Sequence, residues 1–598
     1  MPKISASKVT SARRGGIRLS KPALTARSGL FQVPAGVARI DMRYIYVDAS
    51  AAVTVLESPQ VSRLTILIEE CTRQTVQMPE RFVEPAAGTL DRCKSKRNHI
   101  IFGRRGSGKT SLIRKAHADL SLTRTPAAFV DLESFKGHSY PDVLVSVLIR
   151  TLREFDKWLD GVAVQPGTKR KWWQKLFGKD ARPSQPPINA AEVALVRKSL
   201  SEQIEKLKAV LHSTDKAELT TVHRYGAEGQ ESQVNELSHS RGPEGMRNAG
   251  QSRTELAAKQ HWSGEEQERS RRSKLEFLHH NILDLQDVLS KIVSLTDSSA
   301  YLFLDDLYHI RRSDQAMVID YFHRLTKGQG VWLKIGTIRH RTEWYRHGDP
   351  PFGMKLSDDC DEIDLDTTLE KYSIAKNFLL RVANTLIKEA GLESHSDILV
   401  RSAVDRLVLA SGGVARDFLT ILRRSIQFGL EREGGARGDR VSTEDVNNAA
   451  GEHDAPKRDE LKLDTFDERD TLERAFEAIK AFCLEIKQNV FLVERDRDTK
   501  GSRIIGELVD LRLIHLVLSR VTVGSRVGKI YSAYMLDVSQ YTGDRKRRDF
   551  LIVPFWKKDG ADQLRRVKYI FDPEEAFAEL KWSQQGSFDR SAPEHSYS

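Results

Sequence analysis

Four short apolar runs stand out along the chain: His99–Phe102, Ala127–Leu132 (AAFVDL), Tyr301–Leu304 within SAYLFLDDLYHI, and Val331–Thr337 (VWLKIGT). They do not alternate apolar with polar, which is the pattern of parallel strands covered on both faces. Helical periodicity lies between them. Leu112 and Ile113 begin one such stretch, Val143, Val147, Leu148 and Leu152 mark another over Tyr140–Leu159, opened by Ser139 and Pro141, and Met317–Leu325 is a third. Alternating strand and helix predicts an α/β fold with a parallel sheet. Ahead of it, Met42–Val55 reads as β-rich, and Val61–Thr75 alternates less clearly and is compatible with a helix. Beyond it, an acidic stretch, Asp358–Leu369, leads into helical blocks at Lys371–Ala390 and His395–Ala410. A further helix starts at Gly412-Gly413. From Asp467 the pattern changes again, to helices over Thr471–Gln488 and Ser502–Leu518 followed by β alternation at Lys529–Gln540, the order of a winged helix.

Residues 160–272 interrupt this rhythm. Their first part is rich in Pro and Lys and carries Trp172-Trp173, whose readings are base stacking, a membrane surface or satellite packing. Ala191–Leu211 is helical, and Ser213–Arg272 has the polar composition of a disordered segment. Val193, Val196, Leu200, Leu207 and Val210 recur near a 3.5-residue period, as do Leu275, Leu278, Ile282, Leu285, Leu289 and Ile292. Two arrangements fit: a helical hairpin projecting from the core, or a second helix lying on the sheet as an ordinary crossover.

Composition narrows the class. The 598 residues are 39% hydrophobic and 30% charged, and no apolar run approaches the ~18 residues of a membrane span. Eight of the net +11 charges fall in residues 1–40, which contain no Asp or Glu, so the rest of the chain is close to balanced. Such an arm suits nucleic acid contact, an organelle transit peptide or a solvated tail. The four cysteines are scattered without a metal-ligand spacing, which points to a reducing, cytoplasmic setting with no zinc site.

The candidate chemistry centres on Gly103-Arg104-Arg105-Gly106-Ser107-Gly108-Lys109-Thr110, set between the first strand and a helix. This is the P-loop pattern in its strand-loop-helix context. Converging backbone N–H groups hold a triphosphate, and glycines let the chain wrap tightly enough. Lys109 reaches the β and γ phosphates, Thr110 offers a hydroxyl to Mg²⁺, Ser111 comes next at the helix start, and the helix directs its positive end at the anion. The expected ligands are therefore ATP and Mg²⁺. Tyr301–Leu304 ends in Asp305-Asp306, the arrangement of a Walker B strand. Asp305 would hold the metal, and Asp306 stands where an attacking water is oriented or deprotonated. The Val331–Thr337 strand delivers Thr337, Arg339, His340 and Arg341 to the same rim, where open α/β sheets bind ligands. By position, Phe82–Cys93 could supply part of an adenine pocket.

Taken in order, GRRGSGKT, FLDD, GTIR and GGVARDF resemble an AAA+ or AAA-like ATPase of the initiator clade, similar to origin-recognition-complex proteins and to related signal-transduction NTPases. The resemblance spans roughly Phe82–Phe428. It implies that Thr337 takes the sensor 1 place and Arg416 that of the sensor 2 arginine on a helical lid. It also implies that Arg339, Arg341 or Arg346 could serve a neighbouring subunit as an arginine finger, so an oligomer or partner protein is expected. Two departures stand out. Asp306 replaces the usual Glu, one methylene shorter, which favours slow turnover, and Thr337 replaces the usual Asn.

Within the winged-helix-like part, Arg503, Arg526 and Lys529 could meet phosphates, whereas Glu507 and Asp510 on the same helix oppose strong DNA affinity. Asp544–Lys568 interleaves nine Lys or Arg and four Asp with Phe550, Phe555 and Trp556. That composition suits single-strand contact or an amphipathic surface. The expected layout is a basic arm (1–40), an ATPase core in two parts (41–159 and 273–360) around an insertion (160–272), a helical lid (361–450), a winged-helix-like domain (467–583) and a tail (584–598). The reading is an ATP-dependent switch acting on DNA. The alternative is a signalling scaffold whose nucleotide state controls oligomerisation and protein partners.

Overall fold

A computed structural model describes residues 54–72, 81–163, 189–212, 269, 271–296, 299–432, 439–464, 469–495, 499–545 and 549–578. The basic arm, most of Met42–Val55, Trp172-Trp173, nearly all of Ser213–Arg272 and the tail lie outside the described residues. Among those described, no helix is long and apolar enough to cross a membrane, and all four cysteines are free thiols.

The apolar runs form a mixed α/β architecture around one five-stranded parallel sheet. Its strands are β1 (His99–Phe102), β2 (Ala127–Asp131), β3 (Ala300–Asp305), β4 (Val331–Thr337) and, past a small hairpin of β5 (Tyr345–Arg346) and β6 (Phe352–Gly353), β7 (Asp361–Asp364). The order is β2-β3-β4-β1-β7, with every pairing in the sheet parallel. β1 and β3 are buried along their whole length, as their unbroken apolar runs require. β7 escapes the hydrophobic pattern, because Asp361, Glu362 and Asp364 surround its one buried apolar residue, Ile363. It is an edge strand, where exposed charge is tolerated.

Helices cover both faces. Helix α1 (Pro59–Thr72) precedes the sheet, and α2 (Thr89–Cys93) and α3 (Lys109–Leu122) pack on one face with Ile101, Tyr301 and Phe303. The other face carries α4 (Asp142–Ala163), α5 (Ala190–Leu211), α6 (Ile282–Ser294) and α7 (Arg312–Thr326). Helix α5 lies along α4, and Gln203 on it accepts a 2.9 Å hydrogen bond from Asn281 beside α6. Leu285, Val288, Leu289 and Ile292 of α6 belong to the sheet core. The second helix, α6, therefore packs on the sheet as the crossover alternative has it, while α5 packs on α4 and α6.

A second, separate core joins α1 to the rest of the chain beyond the sheet. It takes in α8 (Tyr372–Ala390), α9 (Arg401–Ala410), α10 (Ala415–Glu431), α11 (Thr443–Glu452), α12 (Asp454–Asp464) and α13 (Arg469–Glu485). It continues through β8 (Val490–Glu494), α14 (Lys500–Asp510), β9 (Ile514–Thr522) and β10 (Ile530–Leu536). The last three strands form an antiparallel sheet in the order β8-β10-β9. Here the expected helix over Ser502–Leu518 is corrected. It ends at Asp510, Arg512 adopts a left-handed φ of 63°, and Ile514 starts a strand.

Helix α14 packs against the rim of the parallel sheet. Gly506 abuts His340, where a Cβ would lie 2.5 Å from the ring. Arg312 donates to Glu507 at 3.0 Å, and Asp510 accepts from the His340 backbone N–H at 2.8 Å and meets Nδ1 at 3.1 Å. The His340 ring keeps 42% of its surface in solvent, and burial works against its charge, but the Asp510 bond raises its pKa on balance. A raised histidine contributes stability that is complete below the unfolded value of about 6.5 and is lost as pH rises through the folded value. Hydrogen exchange corrected for intrinsic rates should therefore show α14 amides less protected at pH 8.5 than at pH 6. In His340→Gln that pH dependence should flatten.

Candidate functional site

The carboxyl ends of the parallel strands meet at one rim. Asp131 stands opposite Asp305 in the β2–β3 register, and Phe102 stands opposite Thr337 in that of β1–β4. The glycine-containing loop leaves β1 there and turns into α3. Gly106 has φ 84°, and a Cβ on it would lie 2.7 Å from the Cβ of Arg416, so no larger residue fits this turn without moving α10. The Arg416 backbone N–H also donates to the Gly106 carbonyl at 3.3 Å. Loop and second core thus touch directly.

Beneath this contact runs a cavity of about 220 Å³. Its polar lining is Arg105, Gly106, Ser107, Gly108, Lys109, Thr110, Ser111, Arg114, Asp306, Tyr308 and Arg416, and its apolar lining Phe82, Val83, Pro85, Leu365, Phe378, Val382, Leu386, Ala415 and Leu419, with Cys71, Thr72 and Arg81 also in the wall. Arg81 pairs there with Glu389 and donates to Cys71 Sγ at 3.2 Å. With Arg81 paired to Glu389, the wall still carries Arg105, Lys109, Arg114 and Arg416 against the single carboxylate of Asp306, a balance that suits an anion.

Lys109 is buried. Its Nζ donates to the carbonyls of Gly103 at 2.8 Å and Arg104 at 3.4 Å, and sits 5.8 Å from the Tyr308 ring centroid. Burial lowers its pKa, with the Asp306 and Asp305 charges opposing. Ser107 Oγ is buried without a hydrogen-bond partner, as expected of a group that meets a ligand oxygen. A Cβ on Gly103 would collide with it at 2.3 Å.

Asp305 is 1% exposed, and the Thr110 hydroxyl hydrogen-bonds to it. Burial pushes its carboxyl up to about 7, the charge of Asp306 adds to this, and the Thr110 bond opposes it. Asp306 is also raised, by burial first, with Lys109 opposing, and its backbone is left-handed at φ 56°. Two buried carboxylates beside a hydroxyl suit a divalent cation. No group of three or more His, Cys, Asp or Glu among the described residues could hold one alone, so phosphate oxygens and water would have to complete the shell.

The structure brings Arg105 through Ser111, Asp306 and Arg416 to the cavity wall, with Asp305 behind Thr110. Gly103, Arg104 and Thr337 do not line it. Arg104 turns the other way. Its backbone N–H and Nε bind Asp366 at 2.9 and 3.2 Å, and its guanidinium reaches the carbonyl of Gly412 at 3.1 Å, tying the loop to the second core. Thr337 is fully buried and shares a 2.5 Å hydrogen bond with Thr342. Arg339 pairs with Glu362 and Asp364, and Arg346 with Glu343. Arg341 lies 5.9 Å from the Tyr308 ring centroid. Tyr308, Arg81 and Arg114 belong to no sequence motif and reach the wall through the fold alone. Phe378, Val382 and Leu386 recur every four residues, a stripe that looks like any core-facing helix.

No protein-family model matches the chain, and no curated protein matches it. Among solved structures, the Aeropyrum pernix ORC1 protein in complex with DNA matches over 79% of this chain and 93% of its own, at 13% identity and a TM-score of 0.29. A similarity that low supports no argument about the site.

Asp305→Asn should raise the melting temperature at pH 8 in chelator by about 1 °C. Neutralising one of two buried like charges is worth about 1 kcal/mol, and functional sites commonly store this kind of instability. Differential scanning fluorimetry against the parent chain measures it.

Proposed function

We propose that this protein is an ATP-binding molecular switch of the AAA+ initiator-like kind, with slow hydrolysis and DNA as its target. One observation carries the nucleotide part: a glycine loop with a buried lysine opens into a cavity lined by both cationic and apolar side chains. Triphosphate and base are the two halves of a ligand that would fill it. Lys109, Arg105 and Arg416 would bind phosphates together with the backbone N–H groups of Gly106–Thr110, and Phe82, Val83, Phe378 and Leu419 would enclose the base. Thr110 and Asp305 would hold Mg²⁺, which would screen phosphate charge and polarise the γ-phosphoryl group. The strand order, with β4 between the loop strand β1 and the acid-tipped β3, supports the same class.

Asp306 would orient the attacking water as a carboxylate shorter than the usual Glu. Thr337 would act as sensor 1 only through a rearrangement that frees it from Thr342. Arg339 and Arg346 are held by carboxylates of this chain, so a trans-acting role for either would require breaking those pairs. Each of these features favours slow turnover.

DNA as target rests on charge. The β9–β10 tip carries exposed Arg526 and a 94% exposed Val527, and the arm over residues 1–40 adds eight positive charges. The C-terminal strands and helices would then be a winged helix. The scaffold reading is favoured by a different observation: on α14, the helix that would enter a groove, only Arg503 is exposed.

The test is uptake of MgATP by the full chain, measured by calorimetry. Micromolar binding is expected, and Lys109→Ala should weaken it at least ~100-fold, the scale of losing a buried charge on phosphate. Absence of binding by the parent chain refutes the switch. DNA affinity that does not fall with added salt, or no affinity near physiological salt, refutes the DNA target and leaves the scaffold.

A further inference from the structure

The first turn of α10 carries two consecutive charged residues with different tasks. Successive helical residues point about 100° apart. Arg416 faces the cavity, while Asp417 faces the turn after α14 and the α11–α12 segment and is 1% exposed. Asp417 Oδ1 accepts from Arg512 Nη1 at 2.6 Å and lies 3.4 Å from His453 Nε2, and Lys457 Nζ is 4.0 Å from Oδ2. Lys457 also pairs with Asp537 at 2.6 Å, and His515 meets Asp537 at 2.8 Å. Burial alone would raise the Asp417 carboxyl, but Arg512 and His453 hold it well below its ordinary value, so it is a charged acceptor at any working pH.

Arg512 stands at a turn, not in an element. Its left-handed backbone, at φ 63°, is one that non-glycine residues rarely adopt and that surrounding structure must maintain. The turn between α14 and β9 thereby delivers a buried guanidinium to the residue next to Arg416. The Arg416 backbone N–H is itself bound to Gly106. A shift of Asp417 would move Arg416 in the cavity wall.

We propose that Arg512 is a positioning residue of the nucleotide site. From the C-terminal part of the chain it fixes Asp417, and through it the Arg416 guanidinium, where a γ-phosphate would lie. This rests on the ATP-binding reading. It goes further in making preference for a nucleoside triphosphate over a diphosphate depend on a residue that touches neither.

The experiment measures MgATP and MgADP affinities of the full chain by calorimetry for the parent, Arg416→Ala, Arg512→Ala and the double variant. Arg416→Ala should lose about tenfold in ATP affinity, the scale of one charge-assisted hydrogen bond, with ADP affinity changed less than about twofold. Arg512→Ala should reproduce that selective loss, and the double variant should be no worse than either single one. If Arg512→Ala does not fold, Arg512→Lys, which keeps the charge but not the guanidinium fork, should show the same selective loss at about threefold. Equal losses for ATP and ADP, an unchanged ATP preference, or losses that multiply in the double variant would overturn the proposal while leaving ATP binding intact. A parent chain that takes up neither nucleotide would overturn both.

Discussion

The close approach of Gly106 to the first turn of α10 is the constraint on which the site depends. The loop is pressed against Arg416, whose Cβ would lie 2.7 Å from a Cβ on Gly106 and whose backbone N–H donates to the Gly106 carbonyl. Because φ at Gly106 is positive and the space for a side chain is filled, the loop cannot keep its shape and lose this neighbour independently. Arg104 fixes the same relation from the other side, through Asp366 and Gly412. The wall of the cavity is therefore shared between two bodies whose apolar clusters are distinct.

Electrostatics sharpens this arrangement. Asp305 and Asp306 are buried side by side and both resist ionisation, while Lys109 is buried and resists protonation. Each would recover its ordinary charge beside an opposite one, the carboxylates beside a cation and the lysine beside phosphate. A polyanion carrying a divalent cation relieves both at once, and neither component alone does so.

How much the sequence made legible depends on where the information lies. β1, β3 and β4 were readable because a strand buried on both faces is largely apolar, the buried Lys334 of β4 being an exception. The loop was readable because its glycines, Lys109 and Thr110 stand at the fixed spacing of a P-loop pattern. β7 was hidden by its own acids, since an edge strand needs only Ile363 inside. The break between α14 and β9 was hidden because Leu508–Leu518 is apolar at positions that fit either period, and only Arg512's backbone separates them. Arg104 illustrates a further limit: motif position gives a residue's neighbourhood, whereas the direction of its side chain is decided by Asp366, 262 residues away. The docking of α14 on His340 is of the same kind, a tertiary contact with no local signature.

The division into two cores also bears on how such a site could change state. α1, the helices after Leu369 and the C-terminal sheet share one apolar cluster, so separating any of them exposes large side chains such as Phe418, Phe476 and Phe491. At roughly 1.5–3 kcal/mol for each buried apolar side chain, that motion is costly. The junction between this body and the parallel sheet is held differently, by Arg104, Gly106, Arg312–Glu507 and His340–Asp510. These are polar contacts, several of them partly exposed, which water can replace at a net cost of about 1 kcal/mol each. A ligand bound between Lys109 and Arg416 spans that junction, so its binding energy acts where the molecule yields most easily. The C-terminal sheet, sharing a core with α10, would move with it rather than respond to it.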